Sequence, residues 1–214
     1  MVNTLLISTC LAHAAQLIFP PLTPLLMRQT GLIRRSPLRQ SYRLLSPVFL
    51  HASIPHLLTN MYSLRNLGPA AASAFGESSL LPLYLASGVA GNVLSTALSR
   101  SAASSGVGAS GAVCGLLAAY YVHLRSSRGQ YSRAGVEGAM QGIRKTVAVN
   151  VLFGLSPGSN IDNAAHLGGF VCGGAAAWLA EGRRQTWSLQ DAVANGRRRL
   201  EDVTGWDTEG WGGG

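Results

Sequence analysis

Long runs without a charged residue alternate with short charged segments along this chain. Charge-free runs cover 1–27, 44–64, 78–99, 101–124, 146–161 and 163–180. A helix needs about 20 mostly apolar residues to cross the hydrocarbon layer of a bilayer. Four of the runs reach that length and 163–180 nearly does. The 146–161 run ends in Pro157-Gly158-Ser159-Asn160, which reads as a turn. A span there must start near Gly138 and carry Arg144 and Lys145 in its first half, where long basic side chains can snorkel to the interface. The pattern thus predicts six spans, near 1–27, 53–74, 78–99, 110–124, 138–156 and 163–181. No internal repeat and no strand-period alternation is visible. The expected architecture is all-α: a polytopic six-helix membrane bundle over 1–181 and a polar tail over 182–214, disordered from about Gly205. The Arg-rich 28–52 connection is unusually long for a compact bundle. Residues 101–108 read as a small, flexible segment.

Composition supports lipid as the solvent. Charged residues are 12% of the 214 and apolar ones 47%, too little charge to cover a soluble surface easily. The net charge of +8 sits in inter-span segments and the tail. That placement fits the flanking of membrane helices and argues against a nucleic-acid face. With six spans, the 125–133 loop and the basic tail share one side and the equally basic 28–43 segment lies opposite, so the charge rule points both ways. Trp187, Trp206 and Trp211 in the tail suit contact with a membrane surface. The first 27 residues lack a basic start and are long for a signal core, so they read as an anchor helix; no organellar transit sequence is legible. Cys10, Cys114 and Cys172 all fall within expected spans, which argues against a disulfide framework or a zinc site.

Polar residues inside spans are costly and are functional candidates by default. Three clusters qualify. In Gly108-Ala109-Ser110-Gly111, a serine flanked by small residues enters an apolar helix. Unpaired N–H groups at a helix start can stabilise an oxyanion there. In Ala165-His166-Leu167-Gly168-Gly169, a histidine opens the last span, and Gly169 and Gly173 share one helix face. That face suits close approach to Gly111, Cys114, Gly115 and Ala118 on the fourth span, which would bring a base to Ser110. The bland alternatives are small-residue packing and a hydrogen-bonded histidine. The third cluster runs from His51 through His56 to Asn60, and the last two are one turn apart on one face. Asn60 can aim an amide at an oxyanion. A metal held by His51 and His56 would lack a third ligand and the HExxH pattern. His13 and His123 show no partner in the sequence and read as packing or interfacial residues.

The order His51-x4-His56-x3-Asn60, Gly108-x-Ser110-Gly111, Ala165-His166-x2-Gly169-x3-Gly173, on the second, fourth and sixth expected spans, resembles the rhomboid family over residues 37–181. Tyr42-Arg43 adds the family's aromatic-Arg pair. The resemblance implies an intramembrane serine protease with Ser110 as nucleophile and His166 as general base, without a carboxylate. His56, Asn60 and the Ser110 N–H would form the oxyanion hole. His51 would hold the first loop, itself partly in the outer leaflet. Gly169 and Gly173 would pack the sixth helix on the fourth, with Gly108 and Gly111 beside the site. The implied partners are transmembrane protein substrates and the bilayer, with no nucleic acid, no metal and no organic cofactor. The family commonly has Tyr or Phe four residues after the serine; this chain has Cys114, which leaves more room around His166. Asn60–Pro69 and Asp162-Asn163 are similar to plastid-type members, implying a chloroplast membrane or else another cellular membrane. Two rivals belong to other classes. An inactive rhomboid-like scaffold would lack the serine or the histidine, and this chain keeps both. A channel or transporter would show inverted repeats, and none is seen.

Overall fold

The structure is a computed structural model and describes residues 1–127, 131–155 and 161–204. Six helices of 17 residues or more stand in chain order among them: α1 (Val2–Ile18), α6 (Ile54–Phe75), α7 (Glu77–Leu98), α8 (Ser110–Ser126), α9 (Arg133–Leu155) and α10 (Asn163–Thr204). Each overlaps one of the six expected spans. By length and composition one described helix, Glu77–Leu98, is long and apolar enough to cross a membrane, with a mean hydropathy of 1.3; α1 is apolar but shorter.

Local chemistry sets several of these boundaries. Ser53 is extended, and its hydroxyl accepts the His56 N–H at 3.3 Å, capping α6. Gly76 ends that helix at φ 89°, a conformation that favours glycine, and α7 begins on the next residue. Three helix bounds differ from the sequence expectation. Helix α1 ends at Ile18 rather than near residue 27, because Pro20-Pro21 cannot continue it. Helix α9 starts at Arg133 rather than near Gly138, because its N-terminal turns pack Val136 and Met140 on Leu124 of α8. Helix α10 runs past residue 181 to Thr204, since the Arg-, Ala- and Leu-rich stretch that follows is itself helix-forming. The turn expected at 157–160 and the disorder expected from Gly205 lie outside the described residues.

The long first connection is built from short pieces: α2 (Leu22–Leu26), β1 (Arg28–Gln29), α3 (Thr30–Arg35), α4 (Pro37–Gln40), α5 (Tyr42–Leu45) and a 3-10 turn (Ser46–Phe49). Arg43 ties it together from inside. It is 6% exposed and donates to the Pro24 and Met27 carbonyls at 3.0 and 3.1 Å and to Gln40 at 2.6 Å. The 101–108 segment is not the free, flexible piece that its small residues suggested. Strand β2 (Ser105–Gly106) pairs antiparallel with β1, placing Arg28 opposite Gly106. Three further backbone bonds pin the segment: Thr30 N–H to Ser104, Gly31 N–H to Ala102 and Gly108 N–H to Pro47. Extended backbone needs a partner when it is buried, and here two loops supply it to each other. This two-residue ladder is the one departure from an all-helical arrangement among the described residues.

The chain divides into two compact units, Met1–Ala177 and Trp178–Gly214. In the first, Leu64 of α6, Leu80 and Tyr84 of α7 and Ala112 and Leu116 of α8 are fully buried. Val2 and Leu5 of α1 join them. Burial also takes in Asn60, Ser87, Asn92 and Ser95, while Leu11, Ile18, Leu58, Leu98 and Val171 face outward. Water-soluble domains hide their large apolar side chains. Lipid gives no reason to do so, and helices then pack through small and polar residues. The described residues of the second unit, 178–204, form the C-terminal part of α10.

Candidate active site

Ser110 is the first residue of α8 and His166 the fourth residue of α10. Their side chains meet: His166 Nε2 lies 2.8 Å from Ser110 Oγ. Small residues make the meeting geometrically available. A Cβ on Gly169 would strike the Gly111 carbonyl, and one on Gly173 would strike the Gly115 carbonyl. The two helices therefore approach backbone to backbone. Gly111 in turn faces the Ala165 carbonyl, 3.1 Å from where its Cβ would stand. Gly91 of α7 meets the same carbonyl, so α7, α8 and α10 converge at the start of α10.

Gly108 brings in a fourth helix, α6. It has φ 135°, and a Cβ there would lie 2.8 Å from His56 Cε1. Glycine thus meets two demands, an unusual backbone angle and the width of an imidazole ring. Ser110, His166, His56, Asn60, Cys114 and Asp162 all line one open cavity of about 1160 Å³. Cys114 sits one turn below Ser110, half-buried on the cavity wall. The Ser110 N–H belongs to the first turn of α8, where backbone donors have no acceptor within their own helix. Asn60 is 5% exposed, and its Nδ2 donates to the His56 carbonyl at 2.9 Å. In this conformation the amide is engaged within α6.

His51 lies behind His56, with ring centroids 5.0 Å apart. Its main chain is gripped by Gln16 of α1: the His51 N–H donates to Oε1 at 3.0 Å, and Nε2 donates to the His51 carbonyl at 3.1 Å. Burial, helped by nearby His56, pushes the His51 imidazole down to about 4. The two remaining histidines do have partners that sequence alone did not reveal. His13 Nδ1 is 3.4 Å from Gln16 Oε1, and His123 Nε2 is 3.3 Å from the Tyr131 hydroxyl. His123 packs among Phe75, Tyr120 and Tyr131. Trp187 falls in α10, and Trp206 and Trp211 lie outside the described residues.

Sequence reasoning missed Arg28, Ser95 and the role of Asp162. Asp162 caps α10: its Oδ1 accepts the Ala165 N–H at 3.0 Å. Its Oδ2 accepts from Arg28 Nη2 at 2.5 Å and from Ser95 Oγ at 2.6 Å. An Asp immediately before an apolar helical run is a capping signal, so Asp162 was findable. Arg28, placed at the end of an apolar run, looked like any flanking charge.

The geometry described is that of a serine and a histidine at two helix starts in an open cavity of a helical chain. The Rhomboid domain family model matches residues 38–183. RHOMBOID-like protein 2 of Arabidopsis thaliana is 37% identical over 134 residues, 63% of this chain and 40% of that protein. RHOMBOID-like protein 4 of the same plant is 40% identical over 134 residues, 63% of this chain and 32% of that protein. The Rhomboid protease GluP of Bacillus subtilis (strain 168) is 35% identical over 162 residues, 76% of this chain and 29% of that protein. The chain belongs to the rhomboid family, and so to a family of integral membrane proteins that includes intramembrane proteases. It spans well under half the length of these three relatives. Another relative, RHOMBOID-like protein 6 of Arabidopsis thaliana, is named as mitochondrial.

Proposed function

We propose that this chain is an intramembrane serine endopeptidase that cleaves transmembrane segments of membrane proteins through a Ser110–His166 dyad. The observation that carries this reading is the 2.8 Å approach of His166 Nε2 to Ser110 Oγ, both lining one open cavity. Neutral His166 accepts the Ser110 proton as Oγ attacks the scissile carbonyl carbon. The carbonyl oxygen becomes an oxyanion. In this reading the Ser110 N–H and the side chains of His56 and Asn60 supply its donors, the Asn60 amide once it leaves the His56 carbonyl. Collapse of the tetrahedral intermediate breaks the C–N bond, and the imidazolium returns its proton to the leaving amine. Water from the open cavity, deprotonated by His166, then resolves the acyl-enzyme and frees Ser110. No step uses a metal or an organic cofactor.

In this reading all six long helices cross the bilayer, residues 1–181 form the membrane domain and 182–214 a polar tail. Substrates are single-pass proteins with a small residue before the cut and a helix-breaking stretch nearby. Residue likeness at Asn60–Pro69 and Asp162-Asn163 favours a chloroplast membrane. The test is labelling of the purified, detergent-solubilised chain with a fluorophosphonate. Labelling of wild type, but not of Ser110→Ala or His166→Ala, is the expected result. Folded wild-type protein that resists the probe would replace this reading with an inactive, client-binding scaffold.

A further inference from the structure

Nucleophile and base come from different helices, so their contact depends on what holds the two helix starts together. Arg28 stands at that junction. Its backbone pairs with Gly106, four residues before Ser110. Its side chain, 1% exposed, reaches Asp162, four residues before His166. A Cβ on Gly106 would strike the guanidinium, so glycine at that position gives it room. Asp162 passes the connection on. Its Oδ1 caps the Ala165 N–H, and its backbone carbonyl accepts the His166 N–H at 3.0 Å. Ser95 adds a hold from α7.

On the serine-protease reading above, we propose that Arg28 and Asp162 are positioning residues for the dyad: their ion pair clamps the strand leading to the nucleophile onto the first turn of the helix that carries the base. Neither side chain hydrogen-bonds to Ser110 or His166 among the described residues; the Asp162 carbonyl, which accepts the His166 N–H, carries the link. The cap alone would keep α10 helical at its start. It would not fix where that start lies relative to β2 and Ser110. The ion pair does, because a charged hydrogen bond has a short, set length. As a source of stability it is a poor choice. Arg28 Nε and Nη1 have no hydrogen-bond partner among the described residues, and a buried pair with donors unmet contributes little over apolar packing. What it supplies is geometry. A displacement of about 1 Å between reacting groups can slow chemistry about a hundredfold.

The test uses the full chain in detergent and three variants: Asp162→Asn, Arg28→Met and the two combined. Asn at 162 keeps an oxygen for the Ala165 cap, and its amide nitrogen, in place of Oδ2, can donate to the Ser95 hydroxyl. The combined variant leaves no orphan charge. It is expected to melt close to wild type yet to react with a fluorophosphonate about ten- to a hundredfold more slowly. Wild-type labelling by the combined variant would overturn the proposal and leave a structural ion pair. Should the combined variant fail to fold, Arg28→Lys keeps the charge with a different reach. Severalfold slower labelling at unchanged melting supports the clamp, and unchanged labelling overturns it. If wild type itself does not label, the protease reading fails, and hydrogen exchange at residues 163–168 decides the clamp separately. Faster exchange there in Arg28→Met/Asp162→Asn sustains it; unchanged exchange rejects it.

Discussion

The side-chain amide of Asn60 donates to the backbone carbonyl of His56, 2.9 Å away and one turn earlier on α6. Both residues line the cavity that holds Ser110 and His166. The amide is thus held within its own helix, and on the proposed mechanism it must leave this bond to donate to the oxyanion. A donor used only when the oxyanion appears acts on the transition state, not on substrate binding. Asn60→Ala is therefore expected to lower kcat by about two to three powers of ten with little change in KM and an intact fold. Kinetics on a transmembrane reporter substrate, with circular dichroism as the control, make the measurement. Unchanged kcat would remove Asn60 from the oxyanion hole.

Helices α8 and α10 touch through glycine. The Gly169 position abuts the Gly111 carbonyl and the Gly173 position the Gly115 carbonyl. A larger side chain has no flexible neighbour to push aside, only backbone. Gly169→Leu should force the helices apart, destabilise the fold by about 3 kcal/mol and lower Ser110 labelling at the same time. Thermal unfolding and probe labelling on one preparation check both. A stable, reactive Gly169→Leu protein would mean that α8 and α10 do not depend on this approach.

His51 gives a pH dependence whose sign follows from its surroundings. Burial, first, and then neighbouring His56 lower its pKa from 6.5 to about 4. The folded chain keeps the ring neutral between those values, while the unfolded chain takes up a proton. This contribution to stability is fully present above pH 6.5 and falls as the pH drops through the window, a loss of about 3 kcal/mol by about pH 4. Melting temperatures in detergent from pH 7 to 4 should show the decline. His51→Leu, which leaves the backbone bonds to Gln16 in place, should flatten it; an unchanged slope would assign the decline to other groups.

The sequence by itself determined the helices and the chemical groups. Runs of apolar residues set six helices in order, because a helix satisfies its own backbone wherever water is scarce. Glycine at 108, 111, 169 and 173 could be read as close-approach positions, since no other residue lacks a Cβ. Ser110, His166, His56 and Asn60 stood out because polar groups are expensive in apolar helices. Tertiary structure alone decided the rest. In the sequence the 101–108 segment reads as a flexible loop, since two-residue pairing with Arg28–Gln29 leaves no periodic trace in either segment. Arg28 looked like a boundary charge because its partner, Asp162, lies 134 residues away. Gln16, an ordinary polar residue in an apolar helix, proved to hold the His51 backbone from both sides. These are long-range contacts between single residues, and a linear pattern records a residue's own character but not what the fold carries to it.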